Sequence, residues 1–389
     1  MIITTKHTGK SLQELKKLNR SMIVRLLRKQ EMSGRELSKV LKLSPAGIQS
    51  LIDEMVEEGL LIKQNAEKVV RGRRPINISI NPTFGAVALI NFSSADEMGI
   101  CFCDFKGNKL YQVERQLDED SDALAMIIAD IEAAVALTGK QLYAISIITS
   151  GKVHKDTGAF HYAPAMEHFQ KINFKQELEA YFHVGVTIKT RTIFLLRSER
   201  KCQYNSDYRN CMYIYDLGCA LCIDGRIFEG DKGFAGELGV VNIDIYGSLN
   251  ETHYYNPYRS NYFMSAFTGM VDAVHKNSNG ELSNNITHRE IFSLYNEGNA
   301  VVREPVETFL RICGKTIRNF VEFLDLRYVV VGGLIATLSD EALSLLSKFI
   351  NESIHDILSV EVVRANSKCD CWDGAFEYAM DTAFSKILE

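Results

Sequence analysis

At 389 residues, with 46% hydrophobic and 24% charged residues, the chain has the length and composition of a globular protein with more than one folded unit. No apolar run reaches the roughly 18 residues of a membrane-spanning helix, and the N-terminus lacks a signal-peptide pattern, so we expect a cytoplasmic protein. Residues 1–80 hold 16 Lys and Arg against 8 Asp and Glu, a net charge of +8 against −13 for the remainder, so we expect nucleic-acid contact only from this first segment.

Helix-start signals are concentrated in residues 18–59. Residues 18–27 predict a first helix. Ser33-Gly34-Arg35-Glu36 has the pattern of a capping box that opens a second helix. Ser44-Pro45 opens a third, with serine as N-cap and proline at the first helical position, and Gly59 ends it. The core-facing stripe of this third helix consists of Ile48, Leu51, Ile52 and Met55.

Two short helices followed by a β-ribbon over residues 60–80 are typical of a winged helix-turn-helix, which we place at residues 1–81. The ribbon would turn at residues 64–67. The residues of the third helix that face away from the core are small or form hydrogen bonds, and Gln49 is the best candidate for reading a base: Ser44, Ala46, Gly47, Gln49 and Ser50. The basic stretch that follows would contact phosphates or the minor groove through Arg71, Arg73 and Arg74. The alternative is a structural or protein-interaction module.

From Phe84 onward, strand-like runs alternate with helical patterns, which predicts an α/β architecture of two lobes with a cleft between them. Paired strands are expected at 86–91 and 99–104, and Asp224-Gly225 is typical of a hairpin turn. Further strands are predicted at 142–148, 184–190, 211–223 and 328–331, and helices at 123–137, 302–324, from about 339, and 376–388.

The nine cysteines do not follow the spacing of a zinc site. Cys101 and Cys103 form a close pair, as do Cys369 and Cys371, but neither pair is followed by a matching Cys or His pair. We therefore expect reduced, mostly buried thiols and no bound metal.

Several short motifs along the chain point to one family. They are Gly72-Arg73-Arg74-Pro75 with Asn81-Pro82, Asp104-Phe105-Lys106-Gly107, Ser150-Gly151 with Asp156-Thr157-Gly158, Asp224-Gly225-Arg226, Gly233-Phe234-Ala235-Gly236-Glu237-Leu238-Gly239 and Val331-Gly332-Gly333. With these motifs the chain resembles the ROK family (repressors, open reading frames and sugar kinases), whose repressor branch joins a winged helix to a sugar-kinase-like body. The resemblance implies a two-lobed actin/hexokinase-like (ribonuclease H-like) domain at residues 82–389. Its lobes would lie at about 82–195 and 196–375, and the C-terminal helix 375–389 would return to the first lobe.

The catalytic parts of ROK kinases are not matched. Asn91-Phe92-Ser93-Ser94 replaces the first phosphate loop, and bulky residues replace the glycine-rich second loop at Tyr215–Cys219. The family's catalytic Asp aligns with Lys189-Thr190-Arg191, and an arginine cannot act as a general base at neutral pH. We expect no kinase activity and no cofactor, although the Gly332-Gly333 turn could still hold an anion.

The family's zinc and sugar residues are largely replaced as well. Its zinc-binding His corresponds to Val240, and its cysteine-rich segment to roughly Asn256–Met264, which contains no cysteine. Of the sugar contacts that the family implies, Glu237 matches, whereas the Asn has become Ala165. The second Glu aligns near Met264.

Two interpretations of the cleft remain open. Lys189 and Arg191, pointing to the same face of one strand, could bind an anionic effector such as a sugar phosphate or sugar acid, with Glu237 accepting from a hydroxyl. Alternatively, the cleft has lost its ligand and the two cations form ion pairs.

The combined expectation is a DNA-binding transcriptional regulator, a repressor of carbohydrate-related genes with a non-catalytic effector domain. It would bind a palindromic operator in double-stranded DNA as a homodimer or tetramer. The first alternative is a sugar kinase carrying a DNA-binding head. The second is a ligand-free body that only dimerises.

Overall fold

The computed structural model describes residues 11–65, 76–92, 96–118, 120–162, 169, 171–202, 208–243, 263–352 and 359–388. The chain divides into two compact units. The first comprises Met1–Gly151, Thr157–Ile188 and Ala375–Glu389, and the second comprises Lys152–Asp156 and Lys189–Gly374. Within the described ranges, no helix is both long enough and apolar enough to cross a bilayer. The predicted positions that lie outside the described residues are Arg71, Arg73, Arg74, Ser93, Ser94, Ala165 and 256–262.

Residues 12–80 are called the head, and its described ranges, 12–65 and 76–80, form helices packed on a small antiparallel sheet of order β1-β3-β2. Its elements are, in chain order, α1 (Leu12–Leu27), β1 (Met32–Ser33), α2 (Gly34–Leu41), α3 (Pro45–Glu57), β2 (Leu61–Asn65) and β3 (Ile76–Ile80). The predicted β-ribbon is therefore present as β2 and β3. The turn predicted at residues 64–67 is corrected in its first half, because Gln64 and Asn65 belong to β2 and pair with Asn77 and Ile76, while 66–67 lie outside the described residues.

Local capping explains where the helices of the head begin. The Ser33 hydroxyl accepts from the Glu36 amide at 3.3 Å and the Glu36 carboxylate accepts from the Ser33 amide at 2.7 Å, which confirms the capping box. This bond from the Ser33 amide holds the pKa of Glu36 below its usual value. Ser44 accepts from the Gly47 amide at 3.1 Å, with Pro45 as the first helical residue. Helix α1 begins at Leu12 rather than at residue 18, because Ser11 forms a capping box that we had not predicted.

The core of the head is apolar and follows the predicted periodicity. The stripe of α3 is buried, and residues of α1 and α2 join it: Ile23, Val24, Leu27, Leu37, Ile48, Leu51, Ile52 and Met55. Burying each of these side chains contributes roughly 1.5–3 kcal/mol. The opposite side of α3 therefore remains free to face a partner.

From residue 86 onward, strands and helices alternate as predicted. In chain order they are β4 (Ala86–Phe92), β5 (Glu97–Asp104), β6 (Lys109–Gln116), α4 (Ala123–Thr138), β7 (Leu142–Thr149), β8 (Lys152–Val153), β9 (Phe160–Tyr162), α5 (Phe174–Phe182), β10 (Gly185–Thr190), α6 (Arg191–Cys202), β11 (Cys211–Tyr215), β12 (Gly218–Ile223), β13 (Arg226–Phe228), α7 (Met264–Ser278), α8 (His288–Asn296), α9 (Ala300–Leu324), β14 (Tyr328–Gly332), α10 (Asp340–Asn351), β15 (Glu361–Arg364) and α11 (Cys371–Ile387).

Each unit contains one five-stranded mixed sheet. In the first unit its strand order is β10-β7-β4-β5-β6; β4 pairs with β5, as predicted, in antiparallel orientation, and pairs parallel with β7. The second has the order β13-β12-β11-β14-β15, with β11 and β14 parallel. Asp224 and Gly225, both at positive φ, form the predicted hairpin turn between β12 and β13. Helix α11 begins in the second unit and continues in the first from Ala375.

One expectation about the cysteines was wrong. Cys202, at the end of α6, and Cys369 form a disulfide bond. The two residues are 167 positions apart, and only the fold brings such distant thiols together, so no local spacing could have indicated the pair. The remaining cysteines are free and, except for Cys371, buried: Cys101, Cys103, Cys211, Cys219, Cys222, Cys313 and Cys371.

Candidate nucleic-acid interface and ligand site

Five of the eight residues predicted to contact DNA lie on one surface at the start of α3, and the other three, Arg71, Arg73 and Arg74, lie outside the described residues. The five occupy the N-cap and first turns of this helix, and every one is exposed: Ser44, Ala46, Gly47, Gln49 and Ser50. Small side chains at these positions leave the helix N-terminus open to close approach by a partner. Because this part of the helix also carries the positive end of the helix dipole, it favours an anionic partner.

Gln49 belongs to a hydrogen-bonded network that we had not predicted. Its Nε2 donates to the Asp53 carboxylate at 2.9 Å, and Lys63 Nζ, on strand β2, donates to the same Asp53 oxygen at 2.5 Å. The bond from Lys63, followed by that from Gln49, lowers the pKa of Asp53. Asp53 thus orients the Gln49 amide and links α3 to β2. The i, i+4 spacing of Gln49 and Asp53 could have suggested the first contact, but no sequence rule indicates the second.

In the second unit, two of the predicted effector-binding residues already have partners within the protein. Lys189 donates to Glu229 at 2.5 Å, and both side chains are largely buried. Glu237 pairs with Lys152, which is also buried. For Lys189, this is the ion pair expected in the interpretation without a ligand. Both pairs reduce the net charge that Lys189 and Glu237 offer to a ligand.

Arg191 does not lie on a strand, and this corrects the expectation that it shares a strand face with Lys189. Strand β10 ends at Thr190, and Arg191 is the first residue of α6. The Arg191 guanidinium carbon lies 5.9 Å from the centre of the Tyr215 ring. Its buried Nε has no hydrogen-bond partner among the described residues. Of the three predicted effector residues, Arg191 is therefore the one with an unsatisfied donor, its buried Nε.

The segment aligned with the second phosphate loop is a tight hairpin whose turn contains Asp216. Asp216 lies at positive φ, and its Oδ1 accepts from the Leu334 amide at 2.7 Å. Burial raises the pKa of Asp216, while the bond from Leu334 and the charge of Arg191 oppose this rise. The Asp216 carboxylate therefore already accepts the hydrogen bond of the Leu334 amide, which follows the Gly332-Gly333 turn that could have held an anion.

The Gly233–Gly239 segment holds Glu237 beside this hairpin. The Cys219 amide donates to the Gly236 carbonyl at 2.9 Å, and the Gly239 amide donates to the Leu217 carbonyl at 2.7 Å. Gly233 and Gly236 both lie at a φ of 92°, where a residue with a Cβ is strained. The backbone of this motif therefore requires glycine at positions 233 and 236 because of its positive φ angles.

The described residues contain no group of three or more His, Cys, Asp and Glu side chains that could hold a metal ion. Val240, at the position of the family's zinc-binding His, is half exposed and follows Gly239 in a short 3₁₀ turn.

Comparison with known proteins identifies the family. The profile of the ROK family matches residues 95–372. The chain belongs to the ROK family. This ROK protein is 23% identical over 354 residues to the xylose repressor of Caldicellulosiruptor bescii, covering 87% of this chain and 88% of that protein. It is also 23% identical over 350 residues to the DNA-binding transcriptional dual regulator NagC of Escherichia coli, covering 87% and 85%.

Solved structures agree with this assignment of fold. A ROK family transcriptional regulator, a homolog of the E. coli MLC protein, superposes with a TM-score of 0.76 at 18% identity, covering 96% of this chain and 98% of that one. The ROK hexokinase of Thermus thermophilus superposes with a TM-score of 0.61 at 16% identity, covering 76% and 98%. The prediction of an α/β ROK body related to the actin/hexokinase-like sugar kinases, behind an N-terminal helical domain, is confirmed.

Proposed function

We propose that this ROK protein is a DNA-binding transcriptional repressor of carbohydrate-related genes. The observation that carries the proposal is the exposed, small-residue face at the start of α3, on a head with the elements of a winged helix. The names of the xylose repressor and NagC, which match along most of their length, support it. Residues 1–81 would bind double-stranded DNA, and residues 82–389 would form the regulatory domain.

The regulatory domain, in this proposal, does not catalyse phosphoryl transfer. A proton acceptor is missing where the family resemblance places it, since Lys189 pairs with Glu229 and Arg191 begins a helix. The Asp216 carboxylate at the Gly332-Gly333 turn would repel a nucleotide phosphate. We further propose that the protein is cytoplasmic and forms a homodimer or tetramer, which would place two heads on a palindromic operator.

In vitro selection from random double-stranded DNA tests the proposed function. We expect the full-length protein to enrich a palindrome of two half-sites. Equal retention of all sequences would contradict the proposal. In parallel, incubation with ATP and a panel of hexoses should give no phosphorylated sugar, whereas turnover at ordinary kinase rates, about 1–100 per second, would favour the sugar-kinase alternative.

The effector, we propose, is an anionic sugar derivative bound chiefly by Arg191, with Glu237 and Lys189 beside it. A ligand at 100 times its Kd stabilises the folded state by about 2.7 kcal/mol. A sugar phosphate or sugar acid should therefore raise the melting temperature of the wild-type protein and not that of Arg191→Ala. Arg209→Ala, which removes the same charge from a surface pair with Asp224, is the control and should keep the shift. No shift with any anion, or an equal shift in Arg191→Ala, would exclude this effector class, and operator affinity unaltered by every sugar would favour a ligand-free scaffold.

Asp53 is expected to affect base preference through Gln49. In the variant Asp53→Ala, the Gln49 amide loses the acceptor that orients it. A good bidentate contact to a base contributes about 1–3 kcal/mol of discrimination, so preference at one base pair of each half-site should fall by about tenfold. Selection followed by sequencing measures this preference. Glu54→Ala removes the same charge from α3 but breaks only the pair with Lys16 and should leave the preference intact. Equal profiles for the two variants would contradict the role of Asp53.

A further inference from the structure

Arg28, the C-cap residue of α1, lies against helix α11. Its Nη2 donates to the Glu377 carboxylate at 2.7 Å and to the Glu377 carbonyl at 3.0 Å. Its Nη1 donates to the Asp381 carboxylate. The guanidinium carbon also lies 5.9 Å from the centre of the Phe384 ring. We call this set of contacts, made by Arg28 with Glu377, Asp381 and Phe384, the head clamp.

Burial distinguishes the head clamp from an ordinary surface ion pair. The side chains of Arg28 and Glu377 are 14% and 15% exposed. Exposed pairs contribute little to stability, but a shielded guanidinium that bonds carboxylates in a fixed fork geometry is costly to separate. Phe384 is itself buried and packs on Phe105 of the first unit at 5.5 Å between ring centres. The clamp therefore joins the head to a well-packed part of the first unit.

We propose that Arg28 is a positioning residue for operator binding, which holds the head on α11 through the head clamp. This inference rests on the proposed function. In a dimer, the distance between two recognition helices is defined only when each head is held on its own body. The clamp supplies that hold, and its loss would widen the range of half-site spacings that the dimer accepts.

The spacing of selected half-sites tests the proposal. Full-length wild-type protein and Arg28→Ala are each used for selection from random double-stranded DNA. The wild-type protein should enrich half-sites at a single spacing. Arg28→Ala should enrich the same half-site sequence at several spacings, with affinity for the wild-type palindrome reduced by about tenfold or more. Lys29→Ala removes the same charge from an exposed neighbour and should keep the single spacing.

If Arg28→Ala selects the wild-type spacing alone, the head clamp does not position the head, while the proposed DNA-binding function stands. If the wild-type protein selects no half-sites, the proposed function fails and the inference fails with it. Should Arg28→Ala not fold, the double variant Glu377→Gln with Asp381→Asn removes the clamp from its other side and must broaden the spacing in the same way. Combining this double variant with Arg28→Lys should not broaden the range of half-site spacings any further, because all of these changes remove the same interaction.

Discussion

Replacing Arg71, Arg73 and Arg74 together by alanine is expected to make operator binding far less sensitive to salt. Each phosphate contact contributes about −0.9 to the slope of log affinity against log salt, because it releases a condensed counterion. If the three arginines contact phosphates in both chains of a dimer, their loss should make the slope shallower by about 5. The basic segment carries much of the +8 charge of residues 1–80, so a large effect is expected.

Fluorescence anisotropy with a selected operator measures this slope between 50 and 200 mM salt, a range over which the wild-type affinity should fall by roughly a thousandfold or more. A triple variant with the same loss of charge on exposed sites of the second unit, Lys276→Ala, Arg303→Ala and Lys348→Ala, is the control and should keep the wild-type slope. An identical slope for both triple variants would mean that the arginine segment does not contact DNA.

Gly236→Ala is expected to destabilise the second unit by about 2–5 kcal/mol. Gly236 has a φ of 92°, and strained backbone of this kind costs about 1–3 kcal/mol in a residue with a side chain. An added Cβ would also overlap the Cys219 carbonyl, so the hairpin and the Glu237 segment must move apart. Glu237 would then be displaced from Lys152.

The variant Gly280→Ala separates the cost of a positive φ from the cost of the overlap with a neighbouring carbonyl. Gly280 has a φ of 90°, yet nothing lies within 4 Å of the position of an added Cβ, so this variant should lose only about 1 kcal/mol. Urea unfolding can be followed through the fluorescence of the single tryptophan, Trp372, which lies in the second unit. Equal free energies of unfolding for the two variants would show that the contact with Cys219 is unimportant.

Local signals predicted the head well because they act over a few residues. The capping box at Ser33, the Ser44-Pro45 helix start and the stripe from Ile48 to Met55 all depend on atoms within one or two helical turns. The start of α1 was missed because the cap at Ser11 precedes a polar stretch with weak periodicity.

The ligand site was predicted less completely. The residue types of Lys189 and Arg191 argued against a kinase, but the partners of Lys189, Arg191 and Glu237 could not be read from the chain. Arg191 was placed on a strand because apolar residues alternate with polar ones up to Thr190, and helix α6 follows this strand with no residue between them. Asp216 attracted no prediction because its acceptor role depends on Leu334, which is 118 residues away.

By itself, the amino-acid sequence determined the order of the parts, the helix starts, the basic head and the absence of matching catalytic residues, since these follow from residue type and short-range periodicity. The tertiary structure alone decided which charges are neutralised and which remain available. Arg28 meets Glu377 across 349 residues, and Lys189 meets Glu229 across 40. Such partners are selected by the folding of whole sheets and helices, and no spacing rule relates them. The head clamp therefore emerges only in three dimensions.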